Sequence, residues 1–394
     1  MNFQVVYLLI PTILFLLKPI KPNKILVFYW AAVCVLSYDN VTDFSFYYNE
    51  FFSIYNHSTS FYIEKGREIG WTYLVNMFSF TKYGLVIIHT IVLLLVVFQY
   101  FQCSKKIGIL NISILLYFVC NLIWKHDNVL RQDIAIVVAY YGFFKFIEAE
   151  SINKSQLIML CVIVISAMIF HSSGIILIPI FFWVRWMSRV DLKFIYVFPI
   201  VIGFTIFFSL SGINAILDVF TVYFSAYNTD TSSYYLKFLS SDIENTMSYY
   251  SLVWVSLSTV PLFYYNYINR KPYEENVILR ACVNICWFVA TWRICFVNDL
   301  LRRPTDYLLW FQVWGYAYFL RDALLKKPKC RYILTKCIAF CFVALIYIQE
   351  YRFIDSYYGD NNYMTVFTKE CKDMQIYTRS LVEGEAKNHK RIRR

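Results

Sequence analysis

Three consecutive stretches, ILNISILLYFVCNLIW (109–124), KHDNVLRQDIA (125–135) and IVVAYYGFFKF (136–146), decide the fold class. The outer two are apolar blocks of helix-spanning length, and the middle one crowds Arg, Asp, Asn and Gln into a short connection. Apolar blocks of this kind, repeated along a chain, match helices crossing a hydrocarbon core of ~30 Å. Transmembrane β-strands would alternate over ~10 residues, and no such segments are visible. The reading is an all-α, polytopic membrane bundle.

Composition agrees. Of 394 residues, 59% are hydrophobic and 16% charged, and the mean hydropathy is +0.50, far from a soluble average. The net charge of +11 does not argue for nucleic acid, because no basic stripe is interleaved with exposed aromatics. Lys and Arg gather instead in the connections of one side. Apolar blocks predict about twelve spans, at 3–18, 25–38, 83–101, 107–124, 131–147, 156–170, 173–187, 194–211, 249–267, 277–297, 306–320 and 332–350. The pair 156–187 also reads as one kinked or re-entrant element. Residues 3–18 lack a basic leader and a cleavage site, so they read as a retained span.

With KPIKPNK (18–24) placed in the cytoplasm, the alternating connections on that side hold more than twice the Lys and Arg of the outer ones, as the positive-inside rule requires. The transmembrane region is then 1–350, and 351–394 is a polar tail that the alternation places outside. Two outer loops, 39–82 and 212–248, are too long to be mere connectors. Both are polar yet aromatic, which suits either sugar stacking or an interfacial aromatic belt. Within the first, Trp71, Leu74, Val75 and Phe78 mark one face of a short amphipathic helix.

The polar residues that an oily chain does not need fall mostly on the outer side. Asn128, Arg131, Gln132 and Ala135 follow helical spacing and form one stripe, while Asp133 points away and Asp127 is placed to cap the helix. Arg is expensive near lipid and normally faces a cavity or a partner; its planar fork suits phosphate. His171 sits between two apolar segments, either as a satisfied interface histidine or as a proton acceptor. Arg293 either snorkels to the interface or turns inward to an anion. Arg302 and Arg303 lie on an outer turn where positive charge is scarce, with Pro304, Asp306 and Tyr307 opening the next span. These cations together suit a lipid pyrophosphate. Outer carboxylates include Asp39, Asp43, Glu50, Glu64 and Glu68. The eleven Cys are scattered; the pairs Cys282/Cys286 and Cys337/Cys341 lack metal-ligand neighbours and read as buried small residues. No metal site, cofactor or nucleotide motif is expected.

Five motifs then stand in order: TDFSFYY (42–48), EIGW (68–71), NVLRQ (128–132), FHSS (170–173) and RPTDY (303–307). Together they resemble the EpsG-like branch of the Wzy-type polysaccharide polymerases, over roughly residues 20–310. The resemblance implies a glycosyltransferase of the bacterial inner membrane that acts in O-antigen, lipopolysaccharide or exopolysaccharide assembly. Such proteins move a glycan from undecaprenyl pyrophosphate onto a lipid-linked repeat unit at the periplasmic face. It implies pyrophosphate binding by Arg131 with Arg302 or Arg303, orientation by Asn128 and Gln132, and His171, Asp43 or Glu68 as the base. A chain-length regulator and a flippase of the same pathway are the implied partners. The family pattern often has an Arg just before the loop-one Asp; here LSYDNVTD has none. A lipid-linked oligosaccharide flippase, or another polyprenyl-dependent glycosyltransferase, would account for the spans as well, but no repeated halves are visible.

Overall fold

A computed structural model describes residues 5–19, 21–37, 47, 50–51, 68–81, 83–120, 122, 126, 129–197, 199, 203, 249–295, 299–325 and 330–358. All regular elements among them are helical. The chain forms two compact units, Met1–Ile178 with Val343–Arg394, and Pro179–Phe342.

The first unit begins with a π-helical turn, Val5–Leu9, leading into α1 (Ile10–Leu17). It continues with α2 (Lys24–Leu36), α3 (Ile69–Phe78), α4 (Gly84–Lys106), α5 (Leu110–Val119), α6 (Leu130–Glu148) and α7 (Lys154–Phe170). Local grammar fixes several starts. Asn23 caps α2 by accepting from the Ile25 and Leu26 amides. Asn153 and Gln156 form a reciprocal capping box on α7, which satisfies amides that a helix start otherwise leaves unpaired. Asn111 of α5 donates to the carbonyls of Lys18, Pro19 and Lys21 and accepts from the Asn23 amide. One buried amide thereby holds the whole KPIKPNK connection.

Helix α4 packs on α2, α3 and α6, and α6 packs on α7. The loop helix α3 is the predicted amphipathic one. Its Trp71 and Val75 are buried in a core with Tyr47, Phe51, Leu85, Ile88, Val92, Leu130 and Ile134, and Leu74 and Phe78 pack against that core. Tyr47, Phe51 and α3 are thus anchored onto α4 and α6 by aromatic side chains.

The second unit contains α8 (Leu177–Arg189), α9 (Tyr249–Tyr267), α10 (Arg270–Glu275), α11 (Val277–Cys295), α12 (Asp299–Asp306), α13 (Leu309–Leu325) and most of the start of α14 (Cys330–Tyr358). Helices α9, α11 and α13 pack against one another. A Cβ at Gly315 would stand 2.6 Å from Cys286 Cβ and 2.8 Å from the Cys282 carbonyl. Cys282 and Cys286 are fully buried small residues, as the sequence suggested, and they line the close approach of α13 to α11; Cys337 and Cys341, read the same way, are instead exposed. Asn284 donates to the Met187 and Val190 carbonyls and accepts from the Tyr273 hydroxyl, closing the end of α8 as a cap does.

Helix positions follow the apolar blocks closely, with two corrections. The pair 156–187 is two helices, as the separate spans 156–170 and 173–187 predicted, divided by an extended residue, His171, and a 3₁₀ turn, Ser172–Ile176. Pro304 does not open the next helix; it lies inside the short α12, and α13 starts at Leu309. Val129, without side-chain capping, occupies the N-cap of α6 that was expected for Asp127. Among the described residues one helix, Gly84–Lys106, is long and apolar enough to cross a membrane by that measure, with mean hydropathy 2.3; Val5–Leu17, Lys24–Leu36, Leu110–Val119, Lys154–Phe170 and Ile333–Ile348 are shorter apolar helices. Helix α6 carries Arg131, Asp133 and Lys145 within its apolar length, which depresses its hydropathy. Most of 194–211, the whole loop 212–248 and the tail from 359 lie outside the described residues.

Candidate functional site

Glu68 sits at the N-cap of α3, but its side chain does not cap that helix. It turns outward from the helix to three partners. Arg131 Nη1 donates to Glu68 Oε2 at 2.8 Å. The Ser172 amide and hydroxyl reach Oε1 at 3.3 and 3.4 Å. His171 Nδ1 lies 3.5 Å from the same oxygen, at the outer edge of hydrogen-bond reach. One carboxylate therefore joins EIGW, NVLRQ and FHSS, which are far apart in the chain. The side chains are only slightly exposed: 12% for Glu68, 13% for His171 and 15% for Arg131.

Local geometry explains how the three meet. Gly70 follows Glu68 by two residues, and a Cβ there would collide with Ile169 Cγ2 and stand 3.0 Å from the Ile169 carbonyl. Only glycine allows α3 to rest on the end of α7, next to His171. At His171 the backbone becomes extended (φ −151°, ψ 117°), and the 3₁₀ turn that follows presents the Ser172 amide to Glu68. Arg131 is the second residue of α6, where a helix dipole disfavours a cation. Its carboxylate neighbours offset that cost: Glu68 by direct pairing, and Glu50 through its charge.

Below Arg131 lies the Tyr47 ring, whose centroid is 5.7 Å from the guanidinium carbon. Tyr47 meets Trp71 edge to face, and Trp71 Nε1 donates to Glu50 Oε2 at 3.1 Å. Burial pushes the Tyr47 hydroxyl up to about 12, with Arg131 opposing, so it is a neutral donor at neutral pH. For Glu68, burial raises the carboxyl, but the His171 hydrogen bond, the Arg131 charge and the Ser172 amide outweigh it and bring it to about 2. Glu68 is thus firmly ionised, and a weak base while Arg131 holds it.

The carboxylate stands nearest to Nδ1 of the His171 ring, at 3.5 Å. Gln132 is buried, and its Nε2 has no hydrogen-bond partner among the described residues.

Of the residues singled out in the sequence, Glu68, Arg131, Gln132 and His171 come together here. Asp43 and Asn128 lie outside the described residues. In the second unit, Arg293 donates to Asp306 Oδ1 at 2.6 Å and to Thr305 Oγ1 at 3.0 Å. Arg293 is thus paired with a carboxylate thirteen residues along the chain. Tyr307 is fully buried and Arg303 partly exposed; the Arg302 side chain lies outside the described residues. Sequence reading missed Ser172 as the link to Glu68, although it stood within FHSS. It also missed the buried pairing of His126 Nδ1 with Asp133 Oδ1 at 2.5 Å, whose only signal was a seven-residue spacing. Among the described residues, no group of three metal-ligating side chains is present.

No curated protein and no solved structure matches the chain. A family model, the EpsG family, matches residues 4–363, nearly its whole length, and that span includes all three motifs that Glu68 joins. The chain therefore belongs to the EpsG family, a Wzy-type family of membrane polysaccharide polymerases.

Proposed function

We propose that the chain is a multi-pass polymerase of the bacterial inner membrane, with about twelve spans. It transfers a glycan from undecaprenyl pyrophosphate onto the non-reducing sugar of a lipid-linked repeat unit at the periplasmic face. The observation that carries this reading is the meeting of Glu68, Arg131 and His171 on one carboxylate. It supplies a planar cation for an anion and an oriented imidazole for a hydroxyl.

The acceptor hydroxyl oxygen attacks the anomeric carbon of the donor sugar. The bond from that carbon to the pyrophosphate oxygen breaks, and the pyrophosphate leaves with the electron pair. His171 Nε2 takes the hydroxyl proton, while Glu68 holds the imidazole and offsets the charge that develops on it. Arg131 receives the pyrophosphate, with the Gln132 amide and Asn128 orienting it, and Arg293, Arg302, Arg303 and Tyr307 serve the lipid-linked substrates. Because pyrophosphate is already a good leaving group, the protein contributes mainly alignment and stabilisation of the departing anion. Asp43 is the alternative base from the first loop. Partners are the lipid-linked repeat units, with a chain-length regulator and a flippase of the same pathway.

Deleting the gene and separating the surface glycan on a gel tests the reading. A polymerase defect leaves the acceptor capped by a single repeat unit. Loss of all repeats assigns the chain to export of lipid-linked units or to an earlier transferase. In the deletion strain, Arg131→Ala, Arg131→Lys and His171→Ala are expected to leave single repeats. Full-length glycan from Arg131→Lys refutes a bidentate anion contact.

A further inference from the structure

His126 and Asp133 take no part in the site above, yet both are almost wholly inaccessible, at 2% and 0% side-chain exposure. His126 Nδ1 and Asp133 Oδ1 stand 2.5 Å apart and share one hydrogen bond. Buried ionisable groups are costly unless paired, and within a membrane-embedded helix they mark functional positions by default. Stability alone gives no reason to prefer this pair over apolar packing.

Its place in the fold gives one. Helix α6 starts at Leu130 with Val129 as an N-cap that makes no side-chain bond. Its first turn carries Arg131 and Gln132, the two residues read as facing the ligand, and the N-cap Val129 offers that turn no side-chain bond. The His126–Asp133 bond spans it, reaching from the connection before α6 to Asp133 at the end of the same turn. On its other side His126 is fixed by stacking on Tyr117 of α5, with centroids 5.7 Å apart and planes 20° from parallel. Its carbonyl also accepts from the Val129 amide at 3.4 Å. A single ring thus clamps the end of α5 to the beginning of α6.

We propose that His126 and Asp133 are positioning residues. Their bond takes the role of the missing cap and sets the direction in which Arg131 and Gln132 meet the anion. The proposal rests on the reading of Arg131 as the pyrophosphate ligand.

The test uses the full-length chain purified in detergent, with farnesyl pyrophosphate as the probe. Binding is measured for the native chain, Arg131→Ala, His126→Ala, His126→Asn and the double variant Arg131→Ala/His126→Ala. Amide hydrogen exchange is followed over residues 129–136. His126→Ala is expected to speed exchange in the first turn of α6 and to weaken binding about as much as Arg131→Ala does. The double variant is expected to bind no more weakly than Arg131→Ala alone. His126→Asn, whose amide nitrogen stands near the place of Nδ1, is expected to restore both. Unchanged exchange in His126→Ala overturns the proposal, and so does faster exchange with native binding, or with a loss that adds to that of Arg131→Ala. If Arg131→Ala itself binds like the native chain, the pyrophosphate reading falls, and exchange alone then decides whether the pair holds the turn.

Discussion

Glu68→Gln isolates the charge at the centre of the site with little change of shape. In the folded chain the Glu68 carboxyl is held at about 2 against an ordinary 4.5. At ~1.4 kcal/mol per decade of proton affinity this gap corresponds to about 3 kcal/mol, and partial contact with solvent trims it to about 2 kcal/mol. The sign follows from linkage. A lowered carboxyl contributes stability above its unfolded value of 4.5, and the contribution is lost as pH falls through about 2. Glu68→Gln is therefore expected to melt several degrees below the native chain at pH 7. The difference should be constant down to about pH 5 and shrink at lower pH, a window set by the same linkage. Arg131→Met in the Glu68→Gln background should recover part of the loss, because it removes a cation left without its partner. The assay is thermal unfolding of the detergent-purified protein across pH, followed by intrinsic tryptophan fluorescence. If Glu68→Gln melts with the native chain at pH 7, or the difference ignores acid, then the carboxylate does not hold the three motifs together and the argument fails.

Gly70→Ala inserts a methyl against Ile169 and the end of α7; a destabilisation of about 1–3 kcal/mol and shortened glycan chains are expected, measured by melting and by gel. Asn111→Leu strips the carbonyls of Lys18, Pro19 and Lys21 of their donor, and about 1–3 kcal/mol of stability should go with it, while a methionine at Lys21 should change little in the same melts. Asp306→Asn weakens the bond to Arg293 Nη2 without a change of size. It should lower the melting temperature less than Asp306→Ala does, and equal losses would show that charge is the whole of that contact.

Much of the helix layout was legible because apolar blocks have a length fixed by the bilayer and a period fixed by the helix. The 249–267 block became Tyr249–Tyr267, and the Trp71 face became α3. The site was legible in part. Arg131 and Gln132 stood out because polar groups on one stripe of an oily helix need a reason, and His171 because it broke an apolar run. What could not be read was that Glu68 is the common partner. Its bonds reach forward 63 residues to Arg131 and 104 to Ser172, and helical periodicity carries no information on that range. Asp133 was expected to point away from Arg131, and in the structure it pairs with His126. Its partner His126 stayed hidden, because a lone histidine in a polar connection has no periodic signature. Pro304 misled for a related reason: a proline in the last turns of a short helix has the same local grammar as one that opens the next.

The pairing of Glu68 with Ser172 also sets a schedule for synthesis. The two are separated by 104 residues, and at ~5–20 residues per second a ribosome needs on the order of 5–20 s to cover that distance. Through that interval Glu68 has left the ribosome and the residues that will hold it have not. The Gly70 contact with Ile169 is subject to the same wait. During each round of manufacture the chain therefore passes through a stage in which the Glu68 cluster cannot form. The cluster closes only when α7 and the turn after it have been delivered, so a nascent chain stalled before residue 172 would lack it.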